Sequence, residues 1–176
     1  MVRNIILGLL LMVLPSTLFA QRTYAEKLGF PSGAKVLILH VDDAGMSWDS
    51  NEGAMNAITK GVATSVSVMM PCPWVPGFVH FIKTHPGTDA GLHLTLTAEW
   101  KEYRWGPLTG KANAPGLTDS EGALWPSVAE VVQHATADEV EAEIRAQLDR
   151  ARIMGFEPTH LDSHMGTLFA TPDFMQ

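Results

Sequence analysis

Three separated segments of the 176-residue chain combine carboxylate and imidazole side chains with apolar runs. The segments are residues 36–43 (VLILHVDD), 91–96 (GLHLTL) and 159–164 (THLDSH). Each has the composition of a β-strand, and the carboxyl ends of parallel strands meet at one edge of a sheet. An Asp/His/His set gathered there would present the nitrogen and oxygen donors that divalent metals take in proteins. The pattern therefore predicts a metal site built from three distant segments.

The first segment ends in two adjacent acids, Asp42 and Asp43. Side chains alternate between the faces of a regular strand, so both acids can enter one site only if the backbone leaves the strand there. Gly45 in the following turn makes such a departure easier. This arrangement predicts one metal ligand and one general base. A helix cap followed by a solvated acid remains the alternative.

The histidines of the other two segments lie on polar strand faces. His93 alternates with leucines and shares its face with two threonines, although a strand histidine is often only a hydrogen-bonding group. His160, Asp162 and His164 share a face by the same alternation. An aspartate can orient a ligating imidazole through its second nitrogen, so Asp162 is a candidate for that role. A simple hydrogen-bond network at the strand end is the alternative.

Apolar runs and helical spacing alternate along the chain. The predicted strands cover residues 36–41, 62–70, 90–97 and 159–163. The predicted helices cover about residues 47–60, with Ser47 or Asp49 as the cap, then 76–84 and 136–155. The last helix opens with a capping box, Thr136 and Glu139. Alternating strands and helices predict a parallel α/β fold, and a final strand so close to Gln176 predicts a fragment. A small complete α/β domain is the alternative.

The amino terminus has the pattern of a secretory signal peptide. Arg3 precedes an apolar run at 5–14, and small residues follow. The run is shorter than the ~20 residues that span a bilayer, so a cleaved signal is favoured over a retained anchor. We therefore expect export to the periplasm or the extracellular space, without stable membrane insertion. The predicted organisation is a signal peptide at 1–20, a polar lead-in at 21–34 and an α/β domain at 35–176.

Charge and cysteine content exclude some classes of function. The formal net charge of −7 gives no electrostatic attraction to nucleic acid or to anionic membranes. Cys72 is the single cysteine, so the chain cannot form an internal disulfide. No base near Cys72 in sequence would activate its thiol, and we expect it to be buried and inert.

Four motifs, taken in order, resemble the YdjC-like carbohydrate deacetylases over roughly residues 35–170. The motifs are residues 42–45 (DDAG), 61–69 (GVATSVSVM), 90–97 (AGLHLTLT) and 158–164 (PTHLDSH). The resemblance implies a (β/α) barrel-like fold, here truncated at its C-terminal side. It implies removal of acetyl groups from N-acetylated sugars or oligosaccharides with a divalent metal. The family's ligands fall on Asp43, His93 and His164, and its proposed base falls on Asp42.

The chain departs from the family pattern beside the first and last motifs. The family usually has Asn-Ala before the two acids and Phe after them, whereas this chain has His40-Val41 and Ala44. The family usually continues the last motif with further histidines, whereas this chain continues with Met165. The ligands remain, and we expect the differences to affect substrate fit.

The implied chemistry is hydrolysis of an amide by a metal-activated water. One carboxylate and two imidazoles leave coordination positions open, and zinc can lower the pKa of bound water to ~7. Asp42 would take the proton of the water, and His160 or a nearby acid would protonate the leaving amine, with His160 as the candidate we name. Nitrogen and oxygen ligands suit zinc, and the carboxylate with open water positions also admits magnesium or manganese. A phosphoesterase is one rival, although the three strand-end segments hold no Arg or Lys to clamp a phosphate. An exported sugar-binding protein without turnover is the other.

Residues 99–126 lack periodicity and are rich in aromatic side chains. A long irregular stretch is often functional, so it is a candidate loop over a glycan, with ordinary packing as the alternative. The candidate substrate contacts are Trp100, Tyr103 and Trp105. Trp48 and Trp74, after the first two strands, carry the same two interpretations. The pattern does not specify the sugar or the oligomeric state.

Overall fold

The computed structural model describes residues 21–176. These residues belong to two compact units, one ending at Leu37 and the other spanning Ile38–Gln176. The first unit contains the short helix α1 (Tyr24–Lys27), which begins with a capping box formed by Thr23 and Glu26. The predicted signal peptide at 1–20 lies outside the described residues. Among residues 21–176, no helix combines the length and the apolar character needed to cross a membrane.

The second unit is a parallel four-stranded sheet with helices between successive strands. Its strands are β1 (His40–Ala44), β2 (Ser65–Val68), β3 (Asp89–Leu94) and β4 (Leu161–Ser163), in that spatial order. Its α-helices are α2 (Trp48–Thr59), α3 (Val75–Thr84), α4 (Val128–His134) and α5 (Ala137–Ile153). Short 3₁₀ helices cover Pro115–Leu117, His164–Phe169 and Pro172–Met175. The predicted parallel α/β class is confirmed.

The two faces of the sheet have opposite chemistry. One face is apolar and fully buried, and it joins the helices in a single core; its members include Val66, Val68, Leu92 and Leu94. The other face carries small and polar side chains at the alternate positions; they include His40, Ser65, Ser67, His93 and Asp162. Period-two alternation alone produces this division. The sheet therefore uses one face for stability and leaves the other for polar chemistry.

The first strand differs from its prediction. The apolar run predicts a strand over 36–41 that is buried on both faces, but β1 begins only at His40. The side chains of Val36 to Leu39 are 38–77% exposed. β1 is an edge strand of the described sheet and pairs with β2 alone, so the apolar side chains before it are not buried by a second neighbouring strand.

The helices follow their predicted signals closely. α2 begins after the N-cap Ser47, and α5 has the predicted capping box of Thr136 and Glu139. α4 was not predicted, because its short apolar pattern adjoins the irregular segment. That segment, 99–126, contains one 3₁₀ turn and one isolated antiparallel bridge between Thr118 and Leu124.

Two buried polar residues of α5 hold the segment that follows β3. The carboxylate of Glu143 accepts hydrogen bonds from the backbone N–H groups of Leu108 and Thr109, at 3.0 and 2.9 Å. The amide of Gln147 accepts from the backbone N–H of Thr95 and donates to its carbonyl, at 3.0 and 2.7 Å. Glu143 and Gln147 are fully buried. Together they fix the chain directly after His93, which positions the candidate site.

Candidate metal centre

A β-bulge at the end of β1 interrupts regular strand geometry where the two adjacent acids lie. Val41 pairs with Val66 and Ala44 pairs with Val68, so two residues of β1 lie opposite one residue of β2. Asp43 has a φ of 58°, in the left-handed region that aspartate tolerates better than most residues. The extra residue breaks strict alternation. This is the departure from regular strand geometry that the adjacent acids require.

The side chains of Asp43, His93 and His164 converge at the carboxyl ends of β1, β3 and β4. One ligand atom from each lies within 4.8 Å of the other two. Oδ1 of Asp43 is 3.2 Å from Nδ1 of His164 and 3.4 Å from Nε2 of His93. Both imidazoles are about 95% buried. The structure therefore brings the three predicted ligands together.

The donor atoms in this cluster suit a divalent cation. Oδ1 of Asp43 is buried and has no hydrogen-bond partner among the described residues. A buried carboxylate oxygen without a partner carries a desolvation cost that a bound cation removes. One carboxylate oxygen and two imidazole nitrogens also match the ligand types of zinc and other divalent metals. We call Asp43, His93 and His164 the metal cluster.

A second carboxylate orients each imidazole of the metal cluster. Nδ1 of His93 donates to Oδ1 of Asp162 at 2.8 Å, which leaves Nε2 of His93 with its lone pair toward Asp43. Nε2 of His164 donates to Oε2 of Glu99 at 3.0 Å, which leaves Nδ1 of His164 toward Asp43. These tautomers follow from the hydrogen-bond partners. Metal-bound histidines in proteins almost always have such an outer partner.

The electrostatics of the cluster are those of an imidazole held between acids. The close approach of His164 lowers the pKa of Asp43, although burial opposes this. Burial lowers the pKa of His164, but its contacts with Asp43 and Glu99 outweigh burial and raise the pKa above its ordinary value. Burial raises the pKa of Asp162, but the hydrogen bond from His93 and further contacts produce a net lowering. The site therefore stabilises positive charge at its centre.

Asp162 is itself fixed by neighbours on the polar face. Its Oδ2 accepts a hydrogen bond from Oγ of Ser67 at 3.0 Å and lies 3.1 Å from Nε2 of His40. Nδ1 of His40 lies 2.9 Å from Oγ of Ser65. His40 is one of the positions where the chain departs from the family pattern. Here the histidine takes part in holding the carboxylate that orients His93.

The structure does not place His160 with the metal cluster. His160 precedes β4, and its Nδ1 lies 2.9 Å from Oγ1 of Thr159 and 3.5 Å from Oδ1 of Asp89. Asp89 is the first residue of β3, so His160 lies toward the amino-terminal end of the sheet. The role of proton donor to a leaving amine at the carboxyl ends is therefore not supported by its position. Asp42, by contrast, is exposed within the bulge beside Asp43.

The aromatic residues of the irregular segment have three different environments. Trp105 is only 4% exposed, and its Nε1–H donates to the carbonyl of Thr97 at 2.9 Å. Its ring centroid lies 6.5 Å from that of His164, so Trp105 packs near the cluster. The predicted contact of Trp105 with substrate does not agree with this burial. The hydroxyl of Tyr103 donates to the carbonyl of Met46, which ties the segment to the turn after β1. Trp100 is half exposed and remains available to a ligand.

Sequence reasoning missed Glu99, the acid that orients His164. The signal was present, because the alternation that places His93, Thr95 and Thr97 on one face reaches Glu99 two residues later. Cys72 is buried, and burial raises the pKa of its thiol, in agreement with the prediction of an inert cysteine.

Comparison with known proteins places these residues in a family. The model of the YdjC-like protein family matches residues 36–176. The chain belongs to the YdjC-like protein family. The matched range of this YdjC-like chain contains the whole metal cluster together with Asp42, Glu99 and Asp162.

Relatives of the YdjC-like chain are named for sugar deacetylation. A carbohydrate deacetylase of Thermus thermophilus is 40% identical over 151 residues, which cover 86% of this chain and 51% of the relative. A chitooligosaccharide deacetylase of Yersinia enterocolitica is 31% identical over 134 residues, covering 74% of this chain and 49% of the relative. The chain spans about half the length of these curated relatives.

A solved structure shares the fold. The crystal structure of a candidate cellobiose-phosphate cleavage protein from Enterococcus faecalis V583 aligns with a TM-score of 0.71 at 25% identity. The alignment covers 78% of this chain and 51% of the solved one. The YdjC-like chain thus has the α/β architecture of part of that protein.

Proposed function

We propose that this chain carries the metal site of a hydrolase that removes acetyl groups from an N-acetylated sugar or oligosaccharide. The convergence of Asp43, His93 and His164 around an unpartnered carboxylate oxygen is the observation that carries the proposal. The names of the deacetylase relatives supply the substrate class. An N-acetylated glycan is therefore the proposed partner of the site.

The three residues of the metal cluster would hold a divalent ion, with Asp162 and Glu99 orienting the imidazoles. The mixed oxygen and nitrogen donors fit zinc or magnesium. Such an ion would supply Lewis acidity toward the amide carbonyl and would lower the pKa of a water molecule.

Asp42 is the proposed general base because it is exposed beside Asp43 in the bulge. Its carboxylate would accept a proton as the water oxygen bonds to the acetyl carbon. The carbon–nitrogen bond then breaks, and the amine needs one proton. Since His160 lies toward the other end of the sheet, we assign the return of that proton to Asp42 as well. The products are acetate and a free amino sugar.

Acetate release from N-acetylglucosamine oligomers tests the proposal. We expect release by the metal-loaded chain, abolition by a chelator and recovery with Zn²⁺ or Mg²⁺. Asp42→Asn should lower the rate about 10²- to 10⁴-fold, the usual contribution of a general base. Asp149→Asn, an exposed acid on α5, is the matched control and should have no effect. Release that neither the chelator nor Asp42→Asn changes would contradict the mechanism.

The same assay separates two rival functions. Phosphate release from a sugar phosphate, without acetate release from the acetylated oligomer, would indicate a phosphoesterase. Binding of the oligomer with no release of either product would indicate a sugar-binding protein.

We also propose export through residues 1–20, on the sequence pattern alone. Fractionation of cells expressing the chain with and without this segment tests it. Recovery of both forms in the cytoplasm would contradict export.

A further inference from the structure

Two tryptophans lie side by side and exposed at the loops that follow β1 and β2. Trp48 is the first residue of α2, and Trp74 directly precedes α3. Their side chains are 56% and 42% exposed, and their ring centroids are 5.6 Å apart at an interplanar angle of 65°. Both loops leave the carboxyl ends of their strands, the edge of the sheet that carries the metal cluster. We call the two residues the tryptophan pair.

Buried hydrogen bonds tie the tryptophan pair to the turn that follows Asp43. The backbone N–H of Trp74 donates to the carbonyl of Gly45 at 3.1 Å. The side chain of Asn51, only 2% exposed, accepts from the N–H of Gly45 at 2.7 Å and donates to the carbonyl of Trp74 at 2.9 Å. Gly45 is two residues from Asp43, so their Cα atoms lie within about 7.6 Å. The backbone that carries the pair is therefore fixed to the turn that begins two residues after Asp43.

The size of the exposed aromatic surface indicates the kind of ligand. A tryptophan offers at most about 250 Å², and roughly half of each residue is exposed, so the pair presents on the order of 250 Å². A stable protein–protein interface buries about 800 Å² on each partner, which is far more. A sugar ring has a small apolar face of C–H groups with polar hydroxyls at its edge. That shape matches a small aromatic corner with water around it.

We infer that the tryptophan pair binds a second sugar ring of an N-acetylated oligosaccharide, next to the ring whose acetyl group lies at the metal cluster. This inference rests on the proposed function and deepens it, because it makes the substrate an oligosaccharide chain. The aromatic rings bury the apolar face of the second ring, and their fixed loops hold the substrate in register with the cluster. Longer oligomers gain this contact and the monosaccharide does not.

Binding measurements with oligomers of different length test the inference. Calorimetric titrations use the full chain with Asp42→Asn, so that the ligand is not consumed, and compare N-acetylglucosamine with its trimer. We expect the trimer to bind at least about tenfold more tightly, and Trp48→Ala or Trp74→Ala to reduce that ratio toward one. Trp74→Phe should keep part of the ratio, since it keeps an aromatic face. Ile153→Ala removes an 86% exposed apolar side chain at the far end of α5, and the ratio should not change.

Two outcomes would overturn the inference: equal affinity of monomer and trimer, or a ratio that survives loss of both tryptophans in a chain whose thermal unfolding is unchanged. Failure of the proposed function looks different. Absence of acetate release, with a trimer preference that depends on the pair, would refute the deacetylase and keep the second-ring site. Acetate release without any length preference would support the deacetylase and refute the second-ring site.

Discussion

Removal of the Glu99 carboxylate should weaken metal binding by a predictable amount. Glu99 makes one contact in the site, the 3.0 Å hydrogen bond from Nε2 of His164. Loss of an outer partner of a metal-bound histidine typically costs 10- to 100-fold in metal affinity, or about 1.4 to 2.8 kcal/mol. Glu99 is 27% exposed, so solvent screens part of its charge. We therefore expect Glu99→Ala to lie near the tenfold end.

The corresponding change at Asp162 should be larger. Asp162 makes a shorter contact with His93, at 2.8 Å, and also contacts Ser67 and His40. We expect Asp162→Ala to approach the 100-fold end of the range. Glu99→Gln keeps a hydrogen-bond acceptor without the charge, so its loss should fall between those of the wild-type chain and Glu99→Ala. Comparison of Glu99→Gln with Glu99→Ala separates the effect of orienting the His164 ring from the effect of the negative charge on metal affinity.

A competition titration of Zn²⁺ against a chromophoric chelator measures these affinities. Glu141→Gln is the matched control, because Glu141 is an exposed acid that pairs with Arg145 on the surface of α5. Nitrogen NMR of His164 reports the ring tautomer in each variant. A Glu99→Ala affinity within twofold of wild type, or an equal loss in Glu141→Gln, would refute the orienting role of Glu99.

Three further predictions concern stability. Burial raises the pKa of Glu139, but hydrogen bonds from Thr136 and Gly116 outweigh it and lower the pKa in the folded chain. The contribution of Glu139 to the free energy of unfolding is therefore complete above the ordinary pKa of 4.5 and is lost as the pH falls through the lowered pKa. Thermal unfolding from neutral pH downward should show a weaker acid dependence in Glu139→Gln, and an unchanged dependence would contradict the capping contact. Gly91→Ala would place a Cβ 2.5 Å from the carbonyl oxygen of His160 and should cost about 1–3 kcal/mol in denaturant unfolding, whereas Gly53→Ala, with open space on α2, should cost nothing. Asn51→Ala should cost about 1–3 kcal/mol by leaving a buried N–H unpaired in the turn after β1, and a fully stable variant would show that water replaces it.

The sequence predicted the class of fold because periodicity reports which face of each element is buried. The helix start at Thr136 was readable, and Ser47 was one of two predicted caps of α2, since capping depends on local residues. The start of β1 was misplaced because the apolar run before His40 reports hydrophobicity and not strand pairing. Pairing depends on a neighbouring strand, which local pattern does not contain.

The metal cluster was predicted in position because three motifs end three parallel strands of one sheet, β1, β3 and β4. Asp162 was expected to orient a histidine, but which one could not be known, since the contact crosses from β4 to β3. The misplaced role of His160 has the same origin. Alternation predicts that His160 lies on the polar face of the sheet, but it does not predict the distance along the strand between His160 and the metal cluster.

Glu143 and Gln147 lie on α5, which contributes no residue to the metal cluster. Their buried hydrogen bonds nevertheless hold the segment that follows β3 and so affect the geometry of the cluster. Substitutions in α5 that loosen Thr95 would reduce the proposed activity in a mutational screen, as loss of a proposed catalytic residue would. Because both side chains are fully buried and joined by a 2.9 Å hydrogen bond, Gln147→Glu would set two acids against each other in the interior. Variation at position 147 in such a screen would thus report on the scaffold's rigidity and not on the reaction.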